Sequence, residues 1–126
     1  MDQVGKPVVL VVEDEELVRD IVCLDLTEAG FEVIEARTGD EALDLFRQSR
    51  AGGSPVRLLF TDIRMPGSLD GWALAEKARD LAPDLGVVYA SGHVTAPERA
   101  VPGSIFLAKP YRLTNLIESL QRLGAD

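Results

Sequence analysis

Leu58-Leu59-Phe60-Thr61-Asp62-Ile63-Arg64-Met65-Pro66-Gly67-Ser68-Leu69-Asp70-Gly71 decides how the rest of this chain is read. Its apolar opening predicts a buried strand, from about Arg57 to Thr61, that carries the Asp62 carboxylate to its end. Pro66, Gly67 and Gly71 then enforce a loop. Asp70 stands where it can cap the following helix. Packing does not need a carboxylate where a buried parallel strand ends, and in open α/β sheets that edge is where ligands and chemistry collect. Asp62 therefore reads as a nucleophile. The plainer alternative, a turn aspartate, is weakened because Asp70 already serves the turn.

Upstream, Pro7-Val8-Val9-Leu10-Val11-Val12 has the uninterrupted, β-branched pattern of a strand covered on both faces and runs into Glu13-Asp14-Glu15-Glu16. Leu17, Val18, Ile21, Val22, Leu26 and Ala29 recur at helical spacing, with Gly30 as the stop. Phe31-Glu32-Val33-Ile34-Glu35-Ala36 is a short second strand. Thr38-Gly39-Asp40-Glu41 matches a capping box and opens a helix containing Ala42, Leu43, Leu45 and Phe46.

Downstream of the decisive stretch, Leu74, Ala75, Ala78 and Leu81 predict a helix facing the sheet and closed by Pro83. Gly86 to Gly92 reads as a fourth strand ending in the Ser91 hydroxyl. Pro97, Pro102 and Gly103 allow only a short or irregular fourth helix. Ser104 to Ala108 is a fifth strand ending in Lys109-Pro110. A last amphipathic helix carries Leu113, Leu116, Ile117, Leu120 and Leu123, with Gly124 past its end. Strands alternating with helices through right-handed crossovers give a doubly wound, five-stranded parallel sheet with helices on both faces. Periodicity does not fix the strand order; the flavodoxin-like α/β class carries 2-1-3-4-5, and that order is the expectation here.

The 126 residues fit one domain, 1–126, with a core of about 7–124. No apolar run approaches the ~20 residues that span a bilayer, and no signal peptide is evident. One cysteine, Cys23, excludes an internal disulfide framework and suits the cytoplasm. A net charge of -8 repels phosphate backbones, so direct nucleic-acid binding is not expected. His93 and Cys23 are single and unclustered, which argues against a zinc site.

With that sheet order, the ends of strands 1, 3, 4 and 5 bring Glu13, Asp14, Asp62, Ser91 and Lys109 to one edge. Three carboxylates buried together repel one another, and a hard divalent cation such as Mg²⁺ relieves this. A carboxylate beside Mg²⁺, with a lysine and a hydroxyl at hand, suits phosphoryl transfer through an acyl phosphate. Taken singly, each feature has a duller reading. Glu13 to Glu16 can be an acidic first helical turn, Ser91-Gly92 a turn, and Lys109-Pro110 nothing at all. Their coincidence at successive strand ends favours chemistry.

Val11-Val12-Glu13-Asp14-Glu15, Asp62-Ile63-Arg64-Met65-Pro66 with Asp70-Gly71, Ser91-Gly92 and Lys109-Pro110 together resemble the receiver domains of bacterial two-component response regulators, such as the chemotaxis regulators. The resemblance covers Val8 to Leu123. It implies that Asp62 accepts a phosphoryl group from a phosphohistidine on a sensor histidine kinase or phosphotransfer protein. By the same resemblance Glu13, Asp14, Asp62 and the backbone carbonyl of Arg64 hold Mg²⁺, with Asp14 the more direct ligand. Lys109 contacts the phosphoryl group, Ser91 and Phe106 are the switch pair, and Lys109-Pro110 is cis.

The chain also departs from the family. Its loop from Met65 to Gly71 is one residue longer than usual, and Ser91 to Phe106 is about one helical turn shorter. Phe106 lacks the common tyrosine hydroxyl, and Arg64 fills a variable position beside the phosphoryl group. The expected output is a downstream protein partner, from a monomer or weak dimer with no membrane contact. One rival reading is the receiver of a hybrid histidine kinase, and another a receiver that docks without phosphorylation. A third, an Asp-nucleophile phosphatase, is disfavoured because Arg64 stands where such enzymes carry their general acid. Catalysis of its own phosphorylation and dephosphorylation, without turnover of a separate substrate, is the enzymatic expectation.

Overall fold

A computed structural model describes residues 6–92 and 97–124. Strands β1 (Val8–Val12), β2 (Glu32–Ala36), β3 (Leu58–Asp62), β4 (Gly86–Ser91) and β5 (Ile105–Ala108) alternate with helices α1 (Glu16–Glu28), α2 (Gly39–Ala51), α3 (Gly71–Leu81) and α4 (Leu113–Gly124). All strand pairs are parallel and the sheet order is β2-β1-β3-β4-β5. This is the expected flavodoxin-like order.

The central strands β1, β3 and β4 are buried at every position, while the edge strands β2 and β5 are only partly covered. Side chains alternate across the pleat, so each strand feeds two cores. On one face Leu10, Leu59, Val87 and Tyr89 pack with Ala42, Leu43 and Phe46 of α2 and Leu74, Ala75 and Ala78 of α3. On the other, Val9, Val11, Phe60 and Val88 pack with Val22, Cys23 and Leu26 of α1 and Leu116 and Leu120 of α4.

Local chemistry sets the helix ends. At the end of α1 the Phe31 amide reaches the Leu26 carbonyl and the Gly30 amide that of Thr27, with Gly30 at φ +103°. This paired closure needs a left-handed residue, hence glycine. The Asp70 side chain accepts from the Ala73 amide at 2.8 Å and starts α3. Thr38 caps α2 through the Glu41 amide, but the Glu41 carboxylate reaches back one residue further than the expected box, to the Arg37 amide at 2.8 Å.

Helical spacing left open which stripe of α1 faces the sheet, and two sequence expectations, on Leu81 and Gly124, need correction. Leu17 and Ile21 are 78% and 55% exposed, and with Leu24 at 60% they form a second apolar stripe on α1, away from Val22 and Leu26. A helix presents one face to a sheet, and helical periodicity does not say which of two stripes it will be. Leu81, expected to face the sheet, lies in the last turn of α3 and is 37% exposed. Gly124 is the last residue of α4, not the residue beyond it. Between β4 and β5 the described residues form a single 3-10 turn, Pro97–Arg99, in keeping with the prolines there. His93 lies outside the described residues.

Candidate functional site

Parallel packing fixes where the strand ends fall. Val12 pairs with Thr61, Asp62 with Ala90, and Ser91 with Ala108, so the residues that follow emerge at one rim. The main chain ties that rim together. The Ile63 amide donates to the Ala90 carbonyl at 3.2 Å, and the Lys109 amide to the Ser91 carbonyl at 2.9 Å. Behind Asp62, Gly71 brings the start of α3 against β3, its amide donating to the Ile63 carbonyl at 2.7 Å. A Cβ at Gly71 would collide with the Asp62 carbonyl oxygen and with Cα of Ile63. The glycine is therefore required by close approach.

Within this frame Glu13, Asp14 and Asp62 each bring a carboxylate oxygen within 4.8 Å of the others. Glu13 and Asp62 are buried, and Asp14 faces solvent. Lys109 Nζ lies 2.6 Å from Asp62 Oδ1. Ser91 is buried at the end of β4. Arg64 is exposed two residues past the strand. Phe106, on β5, pairs in register with Tyr89 and packs against the core that contains it. The Lys109-Pro110 peptide bond is cis.

The electrostatics follow from crowding. Burial, then the hydrogen bond to Asp62, pushes the Glu13 carboxyl from its ordinary 4.5 up to about 8. Burial opposes charge on Lys109, but its hydrogen bond to Asp62 and the surrounding carboxylates outweigh that and hold the ammonium above its usual range. Tyr111, edge-on to Phe60 at 5.7 Å, is pushed up to about 12 by burial and by the charges of Asp62 and Glu13. An all-oxygen donor set with a carboxyl pushed this far fits a hard divalent cation, which would replace the proton and relieve the repulsion.

Three features of the site had no counterpart in the sequence reading. Arg19 is buried on α1 and reaches the Glu13 carbonyl. A basic residue in the middle of an apolar helix face is its only sequence signal. Tyr89 is fully buried, accepts from the Val101 amide at 3.1 Å and packs against Trp72 with the rings tilted at 54°. A groove of about 480 Å³ runs beside the rim, lined by Glu15, Val18, Ile21, Val22, Lys109, Pro110, Tyr111 and Leu113. The last two features depend on contacts across the fold, which periodicity does not encode.

Comparison with known proteins agrees with this geometry. Residues 9–121 match the model of the response regulator receiver domain. The chain is 32% identical to the sensor kinase CckA of Brucella abortus over 97% of its own length, although it spans only 13% of that kinase. It is 29% identical to the response regulator receiver protein CpdR of the same organism, covering 91% of this chain and 94% of CpdR. Among solved structures, a response regulator receiver protein of Sinorhizobium medicae superposes with a TM-score of 0.85 at 32% identity, covering 94% of both chains.

Proposed function

The chain belongs to the response regulator receiver family of two-component signalling, and on that footing we propose that it takes a phosphoryl group from a phosphohistidine donor onto Asp62, with Mg²⁺ held by Glu13, Asp14, Asp62 and the Arg64 carbonyl. The observation that carries this is a buried Asp62 gripped by Lys109 at 2.6 Å and crowded by two further carboxylates. An Asp62 oxygen attacks phosphorus. The P–N bond breaks with its electron pair returning to the imidazole, and an acyl phosphate forms. Lys109 pairs with one phosphoryl oxygen and the Ser91 hydroxyl donates to another. Bound Mg²⁺ supplies charge neutralisation at those oxygens.

The new group adds roughly -1.5 to -2 of charge, by analogy with other phospho-residues. Ser91 and Lys109 shift toward it, Phe106 turns in behind Ser91, and the β4–β5 face presents a different surface to its protein partner. The exposed stripe of Leu17, Ile21 and Leu24, with the groove beside Lys109, suits a helical protein donor bringing its phosphohistidine to the rim. The chain acts in the cytoplasm as one receiver domain. A receiver within a hybrid histidine kinase is the second reading, favoured by the likeness to the sensor kinase CckA.

Incubation with phosphoramidate, a small P–N donor, tests the proposal by intact mass. A gain of about 80 Da that needs MgCl₂ and disappears with EDTA is expected. No gain in the presence of Mg²⁺ contradicts it.

A further inference from the structure

Arg19 stands in the first turns of α1 yet is only 9% exposed. Burying a guanidinium is costly unless its donors find partners, and two of them do here. Nη1 donates to the main-chain carbonyl of Glu13 at 2.9 Å, and Nε to Glu35 Oε1 on β2 at 3.3 Å. The turn it grips is also held from other directions. The Glu13 amide donates to the Ala36 carbonyl at 3.1 Å, the Arg19 amide to the Glu15 carbonyl at 2.9 Å, and the Glu15 amide to Glu13 Oε2 at 2.9 Å. Arg19 touches no carboxylate of the acidic cluster through these bonds, only the peptide from which Glu13 and Asp14 project.

We propose that Arg19 is a positioning residue for the acidic site: it locks the Glu13 carbonyl, so the Glu13 and Asp14 carboxylates are set for a divalent cation before one arrives, while Glu35 fixes the guanidinium. This rests on the reading of Glu13, Asp14 and Asp62 as a Mg²⁺ pocket. The planar fork matters, because two diverging donors answer one acceptor just past the end of β1 and another on β2, which a lysine ammonium on its flexible stem does not reproduce. The sign of the effect separates positioning from simple charge. A cation behind the pocket repels Mg²⁺, so removing Arg19 would tighten binding if charge were its role. Loss of positioning weakens binding instead.

The test is MgCl₂ titration of the full chain by calorimetry, with amide hydrogen exchange of Glu15 in metal-free protein as a second readout. Arg19→Gln should weaken Mg²⁺ roughly tenfold, the usual scale for a group that orients a ligand, and speed Glu15 exchange. Glu35→Gln keeps an acceptor for Nε and should stay within about twofold of wild type. Glu35→Ala, at a half-exposed position that leaves the core intact, should fall between, and it serves if Arg19→Gln does not fold. Affinity and exchange at wild-type levels in Arg19→Gln, or in Glu35→Ala where that variant stands in, would overturn the inference, as would tighter binding in Arg19→Gln. A wild-type chain that takes up no Mg²⁺ would overturn the pocket reading and this inference together; binding by wild type with equal binding by the variants overturns the inference alone.

Discussion

At the residue scale the site is a problem of too many carboxylates in too little water, and Glu13 shows the consequence. Its carboxyl rises from 4.5 to about 8 through burial and the hydrogen bond to Asp62. The folded chain therefore holds a proton that the unfolded chain releases. Between those values the folded state binds more protons, so the stability from this group is complete below pH 4.5 and is lost as pH rises through 8. Metal-free protein should melt at progressively lower temperature from pH 5 to pH 8, and Glu13→Gln should flatten that slope. Cation uptake must expel the same proton. Mg²⁺ affinity should therefore rise by about tenfold per pH unit between pH 6 and 8 and level off above. Calorimetry at several pH values checks this, and a flat profile would contradict it.

At the element scale, helix α3 is pressed against the end of β3, and the contact leaves no room at Gly71. Gly71→Ala should cost roughly 3 kcal/mol in urea denaturation, because backbone on both sides must move. A loss below about 0.5 kcal/mol, the range of an ordinary surface change, would contradict that packing. Helix α1 makes the opposite case. Its outer stripe of Leu17, Ile21 and Leu24 contributes little to the core. Leu17→Glu should leave stability within about 0.5 kcal/mol of wild type. It should slow transfer from a phosphorylated histidine kinase roughly tenfold, the cost of a lost interface anchor, and leave phosphorylation by acetyl phosphate unchanged. Equal slowing with both donors would place the defect at Asp62 and not at docking.

At the scale of the whole molecule, what the sequence conveys is the set of elements and the edge on which they end. β-branched runs, the caps Thr38 and Asp70 and the Gly30 stop are local signals, and each marks an element found in the fold. Glu13, Asp14, Asp62 and Lys109 could be placed together because parallel strands separated by helices all end on one side. Contacts set by packing were not legible. Nothing in helical periodicity separates the buried Val22 from the exposed Ile21. A lone arginine among apolar residues does not announce that it will turn inward to the Glu13 carbonyl. The same limit applies to Tyr89, whose hydroxyl pins the Val101 amide, and to Arg99, which bridges to Glu76 at 2.9 Å. These tie the segment before β5 to the rest of the fold, across sequence distances that no local pattern spans.

The central claim is that Asp62 itself becomes the acyl phosphate. Borohydride reduction after acetyl phosphate and Mg²⁺ treatment, followed by peptide mapping, tests it directly, because hydride converts an aspartyl phosphate to homoserine where it stands. Homoserine at position 62, absent without Mg²⁺ and absent in Asp62→Asn, is the predicted result. An unreduced Asp62 alongside a modified residue elsewhere, or no homoserine at all, would contradict the account.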